Sequence, residues 1–247
     1  MPSWLTGLPV AHRGLHDLAA GRPENSLAAM GAAAEAGYAM EFDVRLSGDG
    51  EVMVFHDAKL ERMTGRKSLV AEMSAAELQK LTLAGTAENI PTFRDLLKAI
   101  AGRAPLLIEL KNYGNEPVGP LETAVAAALR NYTGPVAVQS FAPGVVEWFR
   151  EHARELPRGQ IATTPGGIRE LTSAEAKKLA AELEAGHGEP DFVAYDVRHL
   201  PAPLTTRAKA AGKPVLTWTV RSAAEWQRAR AHADNLIFEN WRPALHE

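Results

Sequence analysis

The sequence predicts an α/β fold, a (β/α)8 TIM barrel, from three observations. Nine short apolar runs of strand length recur along the chain, mostly separated by alanine-rich segments of good helix propensity. No composition break or long linker interrupts this alternation, so residues 1–247 read as one domain with a parallel sheet. Nine is one strand too many for the barrel, but only "SGDG", Ser47–Gly50, joins the second run to the third. Parallel neighbours need a crossover of about a dozen residues, so these two runs form a hairpin. Setting the third run aside as an excursion at the barrel mouth leaves the strand number that a closed barrel needs. The alternative is an open doubly wound sheet, which is disfavoured because no strand leads into a glycine-rich dinucleotide or P-loop fingerprint.

In chain order the strands are expected at Leu8–His12, Tyr38–Leu46, Glu51–Asp57, Ala104–Lys111 and Gly134–Phe141, then at Arg158–Thr164, Pro190–Val197, Lys213–Val220 and Asp234–Asn240. The first long helix is expected over Asn25–Gly37, capped by Asn25 and stopped by Gly37. Ser74–Leu81 opens on "SAAE", a capping-box pattern. Helices are also expected over Thr92–Ala101, Leu121–Asn131, Pro143–Glu155, Ser173–Ala185, Leu204–Gly212 and Ser222–His232.

Composition narrows the function. With 46% hydrophobic and 23% charged residues the chain can bury a real core. A formal net charge of -3 gives no field for steering nucleic acid or an anionic membrane, so any bound anion is held by a few local groups. The expected partner is a small molecule, with no nucleic acid and no stable membrane association, and nothing in the chain points to a particular oligomeric state. There are no cysteines, which excludes disulfide and thiolate chemistry. The start, "MPSWLTGLPVAHRG", has neither a basic lead nor an apolar run of secretory length, which favours the cytoplasm.

In such a barrel the site lies at the C-terminal ends of the strands. Alternation in "MEFDV" puts Glu41 and Asp43 on one side of their strand, and in "LIELK" Glu109 and Lys111 share a side. Three carboxylates at one mouth form an oxygen set for a hard cation, Mg²⁺ or Ca²⁺, rather than for zinc. Spacing alone is equally compatible with charged strand ends facing water. His12 ends the first strand and His56 ends the hairpin strand, as a general acid and a general base would. His12 and His16 stand four residues apart, but "HRGLH" lacks the metalloprotease glutamate and contains Gly14, so a zinc helix is rejected. Arg13 offers a bidentate fork to a phosphate and Lys111 a second positive charge. Read locally, Glu24 and Asn25 form the first-turn acid and the cap of the helix that follows.

Taken together, "AHRG", "PENS", "EFDV", "GDGEVMVFHD" and "LERMTG", followed by "IPTFRDLL", "LIELK", "VQSF" and "LTWTV", closely resemble the glycerophosphodiester phosphodiesterases. The resemblance is to the bacterial, single-domain type and runs in the family's order from Val10 to about Glu239. It implies a (β/α)8 barrel with a small insertion after the hairpin strand, at about 58–93. It also implies metal-assisted hydrolysis of glycerophosphodiesters to glycerol 3-phosphate and an alcohol, within lipid and glycerol metabolism. The nucleophile implied is the substrate's own glycerol hydroxyl, passing through a cyclic phosphate. By the same resemblance Glu41, Asp43 and Glu109 would bind the metal, and His12 and His56 would be the acid–base pair, in either order. Arg13 and Lys111 would bind phosphate, Glu24 would belong to the site, and Gln139, Phe141 and Trp218 would shape the glycerol pocket.

Two departures from the family pattern bear on the pocket wall and substrate range. Arg221 stands where asparagine is common, and Phe238-Glu239 where a Thr-Asp pair is common. His16 and His199 match no family position. Two other activities are also compatible with such a barrel. A lysophospholipase D-like enzyme would need an apolar groove, for which "LERMTGRKSLVAEM" offers little. A Schiff-base aldolase would use Lys111 and leave three carboxylates without purpose.

Overall fold

The structure is a computed structural model, and it describes residues 1–112, 117–164, 172–184 and 188–245. All nine expected strands are present: β1 (Val10–Ala11), β2 (Ala39–Leu46), β3 (Val52–Val54), β4 (Leu106–Leu110), β5 (Val136–Ser140), β6 (Arg158–Ala162), β7 (Phe192–Asp196), β8 (Val215–Val220) and β9 (Asn235–Phe238). The helices are α1 (Trp4–Gly7), α2 (Leu27–Glu35), α3 (Glu61–Thr64), α4 (Ala75–Leu78), α5 (Phe93–Ile100), α6 (Pro120–Leu129), α7 (Pro143–His152), α8 (Ser173–Glu184), α9 (Pro203–Ala210) and α10 (Ala223–Ala229). Ala185, the expected end of α8, lies outside the described residues.

The strands run in the order β1-β9-β8-β7-β6-β5-β4-β2-β3, and β1 also pairs with β2. That cyclic order, with β3 outside the ring, is the (β/α)8 barrel expected from the alternation. β3 pairs antiparallel with β2, Val44 opposite Val54, so "SGDG" does turn a hairpin. Contacts group the chain into two compact units, one of residues 11–111 and 119–136, the other of residues 1–10, 112–118 and 137–247.

In the first unit, β2 and β4 are parallel and in register, with Asp43 directly opposite Glu109. This register sets the carboxylates side by side. α2 is capped by Ser26, whose Oγ accepts the Ala29 N–H at 3.1 Å. Asn25 is therefore not the cap. It is adjacent to a better-placed hydroxyl, and its own side chain is taken by Asp43. Between β3 and α5 the chain folds over its own apolar cluster, which includes Phe55, Leu60, Met63, Leu78, Leu83 and Ile90. α5 starts on a reciprocal cap in which the Thr92 hydroxyl donates to Asp95 at 2.7 Å and accepts the Asp95 N–H at 3.1 Å.

In the second unit, β6, β7, β8 and β9 pair in parallel. The Asn235 side chain donates to the Leu5 and Leu8 carbonyls at 2.9 and 2.7 Å, tying the N-terminal segment to β9. Among the described residues no helix is long and apolar enough to cross a membrane.

Candidate active site

β1 ends one residue before His12, and the chain then turns sharply. Arg13 has φ +55° and Gly14 φ +79°. Gly14 is also pressed against α2, where a Cβ would meet the Ala29 carbonyl carbon at 2.8 Å. Only glycine combines that conformation with that approach. The left-handed turn aims the Arg13 N–H at Glu41 Oε2, 3.0 Å away, and Gly14 donates to the Glu41 carbonyl at 3.1 Å. Asn25, also left-handed at φ +58°, donates its N–H to the Arg13 carbonyl at 3.0 Å. Two non-glycine residues held in this costly conformation mark a segment shaped by its partners.

Glu41, Asp43 and Glu109 each offer an oxygen within 4.8 Å of the others, and all three are buried. Lys111 places its ammonium 2.9 Å from Asp43 Oδ1 and also against Glu109. Asn25 donates to Asp43 Oδ2 at 2.9 Å and accepts the Asp43 N–H at 3.2 Å. His12 Nε2 is 4.0 Å from Glu41 Oε2. Arg13 reaches Asp43 with Nε at 3.4 Å and Glu24 with Nη1 at 2.7 Å.

The charges are unevenly shared. Burial, with Asp43 and Glu109 alongside, pushes the Glu41 carboxyl well above the ordinary range. Burial also acts on Asp43, but Lys111 above all, with Arg13 and the Asn25 hydrogen bond, outweighs it and holds Asp43 well below. Burial would lower Arg13, yet Asp43, Glu24 and Glu41 keep it raised and charged. Glu41 Oε1 has no hydrogen-bond partner in this buried setting. An orphaned carboxylate oxygen beside two more carboxylates fits a hard divalent cation, which would answer that charge.

His56 follows β3, and its Nδ1 lies 2.6 Å from Asp57 Oδ1. Arg45, two residues beyond Asp43 on the same face of β2, donates from Nε to the His56 carbonyl at 2.7 Å. Arg62 of α3 donates to Asp57 at 2.5 Å and, through both Nη atoms, to Glu24 at 2.9 and 2.7 Å. Glu24 is thus not a first-turn acid, since the helix starts later; it is held between two arginines. Burial would raise it, but Arg62 and Arg13 bring it down to about 2.

Eight of the expected residues therefore lie in the first unit: His12, Arg13, Glu24, Glu41, Asp43, His56, Glu109 and Lys111. Arg45, Asp57 and Arg62 also make side-chain contacts there and were not among the expected site residues, although Asp57 and Arg62 fall within the "GDGEVMVFHD" and "LERMTG" stretches. For Arg45 the sequence signal was its place in the i, i+2 series with Glu41 and Asp43. His16 is not part of the carboxylate group.

Gln139, Phe141 and Trp218 lie in the second unit. Gln139 is buried and its Oε1 lacks a hydrogen-bond partner. Phe141 meets Trp218 edge-on at 5.5 Å, and the Trp218 indole donates to the Ala194 carbonyl at 3.2 Å. The two departures from the family pattern pair with each other: Arg221 Nε donates to Glu239 Oε1 at 2.7 Å.

The sequence and fold both match known proteins. A model of the glycerophosphoryl diester phosphodiesterase family matches residues 12–239. The YhdW protein of Bacillus subtilis (strain 168) is 35% identical over 168 residues, covering 64% of this chain and 67% of that one. A glycerophosphodiester phosphodiesterase of Caldanaerobacter subterraneus subsp. tengcongensis is 25% identical over 244 residues, 94% of each chain. Among solved structures, an Oleispira antarctica phosphodiesterase in complex with its product sn-glycerol-3-phosphate superposes with a TM-score of 0.78. It is 25% identical, over 96% of this chain and 94% of that one.

Proposed function

This chain belongs to the glycerophosphoryl diester phosphodiesterase family and is a phosphodiester hydrolase, and from that premise we propose a metal-dependent reaction run by two histidines. The substrates are small glycerophosphodiesters, and the products are glycerol 3-phosphate and an alcohol, released in the cytoplasm. The observation that carries this reading is the buried trio Glu41, Asp43 and Glu109 with His12 and Arg13 against it. These carboxylates would hold Mg²⁺ or Ca²⁺. When bound, the cation supplies positive charge to a phosphodiester that is otherwise a poor electrophile.

The chain's own residues do the rest. Arg13 and Lys111 bind and neutralise the phosphate oxygens. Asp57 stays ionised, since His56 and Arg62 outweigh its burial and hold its carboxyl far below the ordinary range. A carboxylate only accepts, so the bond to Asp57 puts the His56 ring proton on Nδ1 and leaves the Nε2 lone pair free in the neutral ring. His56 is thereby set to take a proton from the nucleophilic glycerol hydroxyl, and His12 to give one to the departing alkoxide. Water then opens the resulting cyclic phosphate to glycerol 3-phosphate, with the two proton roles exchanged. Gln139, Phe141 and Trp218 are proposed to contact the glycerol moiety.

Neither competing activity fits as well. The Lys111 ammonium is ion-paired to Asp43 and Glu109, unlike the neutral amine that a Schiff base requires. The apolar residues of the segment between β3 and α5 are spent on its own core, with Leu69 its one large exposed hydrophobic among the described residues, which speaks against a lipid groove. The test is release of glycerol 3-phosphate from glycerophosphocholine with Mg²⁺ or Ca²⁺, abolished by chelator. His12→Ala and His56→Ala are each expected to lower turnover about 10²- to 10⁴-fold with the fold retained. Turnover near wild type in either variant would remove that histidine from the mechanism.

A further inference from the structure

We infer that Arg62 is a positioning residue of this reaction, tying the acid–base residue His56 to the phosphate-binding Arg13 through two carboxylates. The inference rests on the function proposed above. One guanidinium joins the two carboxylates. Nε donates to Asp57, whose other oxygen holds His56 Nδ1 at 2.6 Å. Nη1 and Nη2 fork onto Glu24, whose Oε1 also accepts from Arg13 Nη1 at 2.7 Å. His56, Asp57, Arg62, Glu24 and Arg13 thus form an unbroken alternation of donors and acceptors that ends beside the carboxylate trio.

This arrangement is more than a surface ion pair. Arg62 is 46% exposed, so its bonds add little to stability. Its two partners are not exposed to the same degree, at 18% and 20%, and each spends its remaining contacts on a residue of the site. Arg62 is itself firmly based. Its neighbours Leu60 and Met63 are buried in the core of the segment between β3 and α5, and Gly65 closes α3 at φ +72°. The segment between β3 and α5 therefore supplies an arm packed on its own core, and the arm ends in a fork. Lysine could not replace it, since an ammonium has no planar fork to span both carboxylates. Without Arg62 the Asp57 carboxylate keeps His56 but loses its own anchor, and Glu24 keeps Arg13 in the same loosened way. A displacement of about 1 Å in a catalytic group costs about 10²-fold in rate.

The experiment uses the full chain, with Arg62→Ala, Arg62→Lys and a control, Arg66→Ala, from the same segment. Turnover of glycerophosphocholine is expected to fall about 10²-fold in Arg62→Ala, with little recovery in Arg62→Lys and none of the loss in Arg66→Ala. The unfolding midpoint should fall by less than about 4 °C, as an exposed pair allows. Arg62→Ala should cost less in an Asp57→Asn background than in the wild type, because one of its two links is already cut while the link to Glu24 remains. Additive losses, or Arg62 variants within twofold of wild type, overturn the proposal.

A second readout does not depend on turnover. The ring ¹⁵N shifts of His56, in protein labelled at histidine, should change in Arg62→Ala and stay fixed in Arg66→Ala. Unchanged His56 shifts in Arg62→Ala overturn the proposal. Changed shifts in a chain that hydrolyses no glycerophosphodiester would support Arg62 as a positioning residue and fault the substrate reading alone.

Discussion

Asp43 in β2 and Asp196 at the end of β7 are both 1% exposed, and each is surrounded in a different way. Asp196 meets only donors. Arg198 brings Nε at 2.9 Å, Nη2 at 2.5 Å and its backbone N–H at 3.0 Å, and Thr163 adds a hydroxyl at 3.0 Å. Burial would raise its carboxyl, but these donors hold it below the ordinary range. Asp43 also has donors, yet it shares its space with Glu41 and Glu109. There the strain falls on Glu41, pushed up while Asp43 is held down. A buried carboxylate whose charge is fully answered is a structural fastening. Buried carboxylates crowded together, with pKa values driven apart and an oxygen left over, are what a cation site requires. Burial alone does not separate the two.

The sharpest way to break this contrast is to neutralise each aspartate. Asp43→Asn is expected to lower turnover about 10³-fold and to weaken Mg²⁺ or Ca²⁺ binding more than about tenfold. Its effect on the stability of the metal-free chain should be small, because relief of like-charge repulsion offsets the loss of Lys111 as an ion-pair partner. Steady-state kinetics, calorimetric metal titration and thermal melting measure the three quantities. Full turnover in Asp43→Asn would break the contrast from this side.

Asp196→Asn should behave in the opposite way. It leaves several donors without their acceptor charge, at a cost of about 1–3 kcal/mol in stability. At about 2–4 °C per kcal/mol this is visible in a melting curve. Turnover at a permissive temperature should stay within about twofold, since the loss is of fold stability alone. Should Asp196→Asn abolish turnover without lowering the melting point, Asp196 belongs with Asp43 and the contrast fails.

The sequence carried the strands well because each is a run of alternating or apolar residues between clear breakers, and "SGDG" admits nothing but a tight turn. Glu41, Asp43 and Glu109 were legible for the same reason, since a two-residue period fixes the face and the parallel register then brings the faces together. The cap of α2 is not legible in the sequence, because Asn25 and Ser26 are both good caps and a tertiary bond to Asp43 decides between them. Arg45 shared the face of Glu41 and Asp43, but its partner is a backbone carbonyl on another strand's end, which no spacing encodes. Arg62 was the least legible. It sits 38 residues from Glu24, in a segment whose fold depends on its own small core.

Glu24 gives the finest test, because it resembles Asp196 in chemistry and Asp43 in neighbourhood. Its charge is answered by two arginines, and its carboxyl is brought from an ordinary 4.5 down to about 2. A carboxyl lowered on folding adds stability that is present above its unfolded pKa and is lost as pH falls through its folded one. The wild type should therefore exceed Glu24→Gln in unfolding free energy at neutral pH. The shift sets a ceiling of about 3 kcal/mol, and the half-exposed Arg62 brings the expected value below it. The two curves should converge as pH falls from 4.5 towards 2, the window set by that shift. Urea unfolding of both chains across that range measures the gap. Convergence would class Glu24 with Asp196 as an answered charge that fastens the site rather than reacting in it. Parallel curves would mean that its two arginines contribute nothing through its charge, and that the fastening is geometric alone.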